Sequence, residues 1–550
     1  MFKKTKDTQV NLYSSAAGLF PERSQKIYDD EGAWHNKFRQ QVTDRIDENL
    51  FKPLYCGNNG TPNASLKVLV GMMVLKEAEG LSDEKLFENC RFNLLTRSAI
   101  GLLNVDDELP TESTYYLFRK RIVEYANKGN ANLLEVVFEQ VTAGQSVEFK
   151  VSGKRIRMDS KLLGSNIAWL SRYEIVHETL RIFYNKEGRE SGKIDESTNV
   201  ILENLLKIEG NKIVYISTNE EVKTKLQQLG ELIYKILPIF SKLETKEYQT
   251  LKRVFKEQFR VKHKEVKIRE KEKISARSVQ SPHDTDSTYR DKNGDKCKGY
   301  SINVTESCDD EGLNLIGNVD VRNASASDVD FFEDGITKVQ EVFTEKVEAA
   351  HADGAYHSPD NQKFCRENKI ELHLHAIQGA KGRYELDMND GKLKVHDTKT
   401  DKELETHEIT TKKGERKWRI KAEKGYRYFT KKEIENSELR KKIVETPLEI
   451  LQKRNNVEAT IFQLGYHYPN AKSRYRGQIK HQMWANLRCL WVNFVRIRKF
   501  VTKRGKEALI SAKTAIILGV TRLIYECHLI LRIISQMKYP EVTKLRFLRM

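Results

Sequence analysis

Cysteine is scarce in this chain: seven residues among 550, odd in number, scattered, and nowhere spaced as a CxxC pair. That usage supports neither a zinc ribbon nor a disulfide framework, and a reducing cytoplasm fits it best. The 13 His show no ligand spacing either, so a His-rich zinc site is not expected. An apolar opening run is missing: MFKKTKDTQVNLYSS has no h-region, and we expect no signal peptide. Long hydrophobic runs are missing as well. The most apolar stretch, TAIILGVTRLIYECHLILRII, is interrupted by Arg522, Glu526, His528 and Arg532, which fits a packed helix and not a membrane span. No internal repeat or long low-complexity tract is visible.

What is present is a large and basic chain. Hydrophobic content of 39%, with 22 Phe and 22 Tyr, excludes wholesale disorder. At about 150 residues per unit the length allows three or four cores. The net charge of +17 is concentrated: from Tyr466 to Met550 there are 18 Lys or Arg against three Glu. Such asymmetry points to a polyanion, with nucleic acid the natural one. The bland alternative is a solvated basic face.

Along the chain, residues 1–60 are mixed and polar and end in the turn-rich KPLYCGNNGTPN. A helical unit follows. SLKVLVGMMVLKEAEG has Ser65 as N-cap and stops at Gly80; LSDEKLFENCRF has Ser82 as cap, with acids in its first turn; TESTYYLFRKRIVEYAN gives a third helix. The tight Gly-containing turn reads as helix-turn-helix, and a plain helical bundle fits as well. After a short strand near residue 156, a long helical stretch is expected to about residue 277. It includes a mixed-charge segment, KLETKEYQTLKRVFKEQFRVKHKEVKIREKEK, read as one long solvated helix, with a helix laid on DNA as the alternative. SVQSPHDTDSTYRDKNGDKCKGYSINVTES returns to strand-like alternation, with a turn at Asn293-Gly294. GLNLIGNVDV reads as a buried strand and DVDFFEDGITKVQEVFTEKVEAA as a helix leading to another. From 372 to 430, LKVHDTKT, LETHEITT, KWRIKAEK and YRYFT alternate between turns at Gly391 and Gly414, an inserted antiparallel β element.

Three acids stand out by context. Asp159 closes KRIRMDS, where Ile156 and Met158 alternate with Arg155 and Arg157 as in a half-buried strand, with the acid at its end. Asp353 lies in EAAHADGAYHS, a small apolar run closed by Gly354. Glu458 lies in QKRNNVEATIFQLG, four residues after Arg454 and so on one face with it if the stretch is helical. Carboxylates brought together from two strands and a helix suit two-metal phosphoryl transfer, where divalent cations bridge attacking and leaving oxygens. Near the middle strand, His283, Asp284 and Asp286 of SPHDTD either lie close to such a site or cap a strand.

These contexts, taken in order over roughly residues 15–500, resemble the DDE transposases of bacterial insertion sequences. RMDSKLLGSNIAWLSRYE, ADGAYHSPDNQ and RNNVEATIFQLGYHYPNAKSRYRGQIK look like the regions of the first, second and third acids. Members often carry Y-x2-R-x3-E-x6-K around the last acid; Arg454 and Glu458 fit, while Leu451 and Gly465 replace the tyrosine and lysine, and Lys472 or Arg474 is available to supply the missing charge. The resemblance implies an α/β fold: an RNase H-like mixed sheet flanked by helices, with an N-terminal all-helical DNA-binding domain and the β insertion. It implies these parts: an N-terminal segment 1–60; a helix-turn-helix-like domain 61–130; a catalytic domain 150–371 plus 431–500; the insertion 372–430; and a basic helical region 501–550. Asp159, Asp353 and Glu458 would be both catalytic residues and ligands of Mg2+ or Mn2+, as two ions. Hard oxygen ligands suit such cations. Hydrolysis of a phosphodiester at the element end would free a 3′-OH that attacks target DNA in line. Partners would be double-stranded DNA, as terminal inverted repeats and target, in the cytoplasm, with no membrane and with a homodimer on paired ends. Arg454 and the basic-aromatic cluster Lys472, Arg474, Tyr475, Arg476 and Lys480 would contact DNA, phosphates and an unpaired base suiting the cluster. The alternatives are an RNase H-like nuclease without strand transfer and a catalytically inactive DNA-binding protein.

Overall fold

In a computed structural model the chain divides into two compact units, Met1–Phe494 and Val495–Met550. The structure describes residues 1–536 except 6–13, 293, 378, 380–381, 390–391, 412–413, 415, 423–424 and 469–470. The expected turn residues Asn293 and Gly391 therefore lie outside the described residues.

The N-terminal part is helical: α1 Glu22–Asp29, α2 Trp34–Gln41, α3 Leu66–Glu79, α4 Asp83–Phe92, α5 Leu94–Ala99, α6 Glu112–Asn127 and α7 Leu133–Phe149. Local chemistry sets these ends. The side chains of Ser65, Ser82 and Thr111 accept from the backbone N–H groups of Val68, Lys85 and Thr114. Each cap satisfies one of the donors a helix start leaves over. Gly80 ends α3 in the left-handed region at φ 66°, which glycine adopts without strain. Almost every residue of α3 is buried, so it is the core helix of this bundle. The helical packing starts before residue 61: Thr43 donates to the carbonyl of Ala99, Arg39 donates to Ser98, and Phe38 packs on Trp491 and Phe494.

Strand β1 (Arg155–Gly164) opens the main sheet. A helical insertion follows, α8 Arg172–Phe183, α9 Glu196–Leu206, α10 Gly210–Ile216, α11 Asn219–Ile239 and α12 Lys246–Gln258, with its own apolar core around Val176, Leu229, Ile233 and Leu251. The expectation of helix to about residue 277 fails at Gln258. There the chain turns into a hairpin, β2 Phe259–Lys262 and β3 Glu265–Ile268. Phe259 and Val266 face the insertion core, and His263 and Lys264 make the two-residue turn at φ 50° and 66°. Two adjacent left-handed residues match the twist of a tight hairpin.

The sheet continues through β4 Thr288–Lys292, β5 Asp295–Ser307 and β6 Ile316–Asn323; α13 Phe332–Val342 leads to β7 Ala349–Ala352, and α14 Pro359–Asn368 to β8 Glu371–Leu374. The strand order runs β6-β5-β1-β7-β8, with β4 pairing the first residues of β5 on the edge away from β1, the edge that β6 pairs further along. β6, β5 and β1 are antiparallel neighbours, whereas β1, β7 and β8 are parallel. Next come β9 Tyr384–Asn389, β10 Lys392–Asp397, β11 Lys402–Leu404, β12 His407–Thr410, β13 Arg416–Ala422 and β14 Gly425–Thr430, in two three-stranded antiparallel sheets. Leu386, Val395, Trp418, Ile420 and Phe429 share a core with Ile434 of α15 (Lys431–Glu445). Then follow α16 Leu448–Gln452, α17 Asn455–Gly465 and α18 Gln478–Gln536. The described part of the second unit is α18 from Val495 to Gln536.

Candidate active site

Register brings the first two acids together. The last parallel pair between β1 and β7 is Arg157 with His351. Asp159 and Asp353 each lie two residues beyond that pair, so alternation points both to the same face of neighbouring strands. Asp353 is the first residue past β7. Asp159 is not at a strand end as expected: β1 runs on to Gly164, because β5 continues to pair with it after β7 has stopped. Each carboxylate is held by the next backbone N–H, from Ser160 at 2.8 Å and from Gly354 at 2.6 Å. Gly354 has to be glycine, because a Cβ would lie 2.0 Å from the Ala376 carbonyl.

Helix α17 covers this face, and what fixes it there is buried charge. Arg157 is buried, against the expectation of a half-exposed alternation, since α17 closes the second side of β1. Its guanidinium pairs with Glu306 on β5 at 2.6 Å and donates to the Lys453 carbonyl at 3.1 Å. Thr460 of α17 donates to the other Glu306 oxygen at 2.9 Å. Glu306 is wholly buried. Nothing in the sequence pattern singles out Arg157, Glu306 and Thr460 as one unit, because they meet only when β1, β5 and α17 assemble.

Arg454, at the N-cap of α17, stands among the three acids. Its Nη1 is 3.9 Å from both Asp159 and Asp353, and its Nη2 donates to Glu458 one turn further on. Burial pushes the Asp159 carboxyl above its ordinary range and Asp353 adds to the rise, while Arg454 and the Ser160 N–H pull the other way. Burial opposes the charge on Arg454, but Asp159, Glu458 and Asp353 raise its pKa on balance. Its Nε and Nη1 are buried without a hydrogen-bond partner. Glu458 is the most exposed of the three acids at 58%, against 42% for Asp353 and 15% for Asp159. Among the described residues no three His, Cys, Asp or Glu side chains lie close enough to hold a metal ion as they stand. It is the guanidinium that touches all three carboxylates.

On the opposite face, Ser160 donates to the buried Asp328 at 2.7 Å, and the hydroxyl of the fully buried Tyr356 donates to Asn303 at 2.6 Å. Sequence reading missed both residues; Asp328 sits in an ordinary helix-leading run with no distinguishing signal.

The other expected contacts are placed elsewhere. Asp284 is buried and accepts from Tyr300 at 2.6 Å, from the Gly477 N–H at 3.0 Å and from Ser165, so it ties the far end of β1 to the loop before α18. It does not touch the three acids. Lys472 donates to the Ile167 carbonyl at 2.9 Å and Arg476 to the Asn166 carbonyl at 2.7 Å. Arg474 donates to the carbonyls of Gly80 and Leu81, and Tyr475, half-buried, donates its hydroxyl to Glu77. Lys480 lines a cavity of about 430 Å³ with Arg119, Lys120, Tyr116 and Trp484.

Residues 27–121 match the family model described as a transposase domain (DUF772). The chain thus carries a transposase domain, and the match reaches from before α2 into α6. No curated protein and no solved structure matches the chain. Among the described residues no helix is long and apolar enough to cross a membrane.

Proposed function

We propose that this chain is a transposase of the three-acid type, cutting DNA at the ends of a mobile element and joining the freed 3′-OH to a target. The observation that carries the reading is the convergence of Asp159, Asp353 and Glu458 on one guanidinium. The sheet order β6-β5-β1-β7-β8, with one acid on β1, one just past the parallel strand β7 and one on the helix covering them, supports an RNase H-like catalytic core.

The donor set fits a hard divalent cation: all three side chains offer carboxylate oxygens, and a positive side chain with two unsatisfied nitrogens already lies among them. Asp159, Asp353 and Glu458 would hold Mg2+ or Mn2+, as two ions. When bound, such ions stabilise charge on the phosphate and lower the pKa of water. The protein's own part is positioning. The N–H groups of Ser160 and Gly354 fix the two aspartates, and the Arg157–Glu306–Thr460 cluster sets where α17 presents Glu458. Arg454 keeps the three carboxylates from repelling one another. Double-stranded DNA, as inverted-repeat ends and target, is the partner. The basic excess after residue 466 supplies positive charge for the phosphates, and a homodimer would pair two ends.

The test supplies the full chain with Mg2+, a duplex carrying the element's terminal repeats and a plasmid target. Joined products are the expected result. Nicks without joining would assign the chain to the nuclease class instead.

A further inference from the structure

Arg488 of α18 is 4% exposed; burial opposes its charge, and nearby Glu77 supports it. Its partners are main-chain carbonyls at the ends of two helices. Nε donates to Leu464 at 3.1 Å and Nη2 to Gln463, at the end of α17; Nη1 donates to Glu77 at 2.9 Å and to Ala78 at 2.8 Å, at the end of α3. A helix C-terminus leaves carbonyls without internal partners and carries a partial negative charge. One planar, permanently charged fork satisfies two such ends at once, which a lysine with its single nitrogen cannot reproduce.

The rest of the α3 end is gripped from the same side. His467 bonds the Ala78 carbonyl at 2.8 Å, and its ring lies 2.8 Å from where a Cβ on Gly80 would stand. Arg474 takes the carbonyls of Gly80 and Leu81, and Tyr475 takes the Glu77 side chain. The end of α3, inside the region matching a transposase domain, is thus capped by residues flanking α17, the helix that carries Glu458.

We propose that Arg488 is a positioning residue that locks α17, and with it Glu458, to the end of α3, so that the third acid is held in place by the helical domain. Its relevance to catalysis rests on the three-acid reading above; its effect on α17 does not. The test is amide hydrogen exchange on the full chain, comparing wild type with Arg488→Gln and Arg488→Lys, together with the Mn2+ concentration giving half-maximal nicking. In Arg488→Gln, exchange across 455–465 should rise at least about tenfold while 246–258 in the helical insertion keeps its protection. The Mn2+ midpoint should rise in parallel, and Arg488→Lys should fall between. Unchanged protection of 455–465, or its loss together with 246–258, would overturn the proposal. An Asp159→Asn variant that nicks at the wild-type rate would overturn the catalytic reading alone, and the exchange comparison would still decide the lock.

Discussion

Asp159 is a carboxylate that its surroundings disfavour as an anion, first by burial and then by Asp353. Its folded-state pKa lies above the ordinary 3.8. The protonated form is therefore favoured by folding: that stability is present below 3.8 and is lost as pH rises through the raised value. At neutral pH the folded chain carries the full cost of the charge. Asp159→Asn should then melt, in EDTA, at the wild-type temperature or above it at pH 7, with the gain shrinking as pH falls toward 4. A drop of several degrees at pH 7 would mean that pairing with Arg454 outweighs burial. Arg454→Gln should act in the opposite sense. With three carboxylates left facing each other the variant should lose about 1–3 kcal/mol in EDTA, and Mn2+ should restore more stability to it than to wild type. An equal Mn2+ response in both proteins would show that the guanidinium does not stand in for the cation.

The elements that carry the site depend on one buried pair. Removing one partner of such a pair leaves an uncompensated charge and costs about 3–5 kcal/mol. Arg157→Met should therefore destabilise the chain by that amount in urea unfolding, while Arg157→Met with Glu306→Met should cost less than the sum of the single changes. Strict additivity would count against a coupled unit. The sequence was informative where the physics is local. Ser65, Ser82, Thr111 and Gly80 mark helix ends because caps act within a turn, and the short run before Asp353 reads as a strand because all four of its residues are buried. It misled at the β2–β3 hairpin. There Lys and Glu at helical spacing mask the alternation of Val261 and Val266 with charged residues, and His263-Lys264 turns the chain without the usual Gly or Asn. The Asp159–Asp353 register, the Arg157–Glu306 pair and the Arg488 fork join residues more than a hundred positions apart, and no local pattern encodes them.

For the whole molecule, the proposed hold on DNA is a matter of charge. From Val495 to Met550 the chain has 13 Lys or Arg against three Glu, and this span is a compact unit of its own. Ending the chain after Phe494 should weaken non-specific duplex binding and flatten the dependence of log affinity on log salt, by about 0.9 for each phosphate that is no longer neutralised. An unchanged slope would mean that the first unit neutralises the phosphates. The central claim is that three acids distant in sequence act as one cation site for DNA strand cleavage, and a paired nicking and binding assay on Asp159→Asn tests it most directly. With Mg2+ and element-end DNA, nicking should fall to background, while affinity for the same DNA stays equal to wild type or rises slightly as repulsion from phosphate is relieved. Nicking at the wild-type rate would contradict the claim.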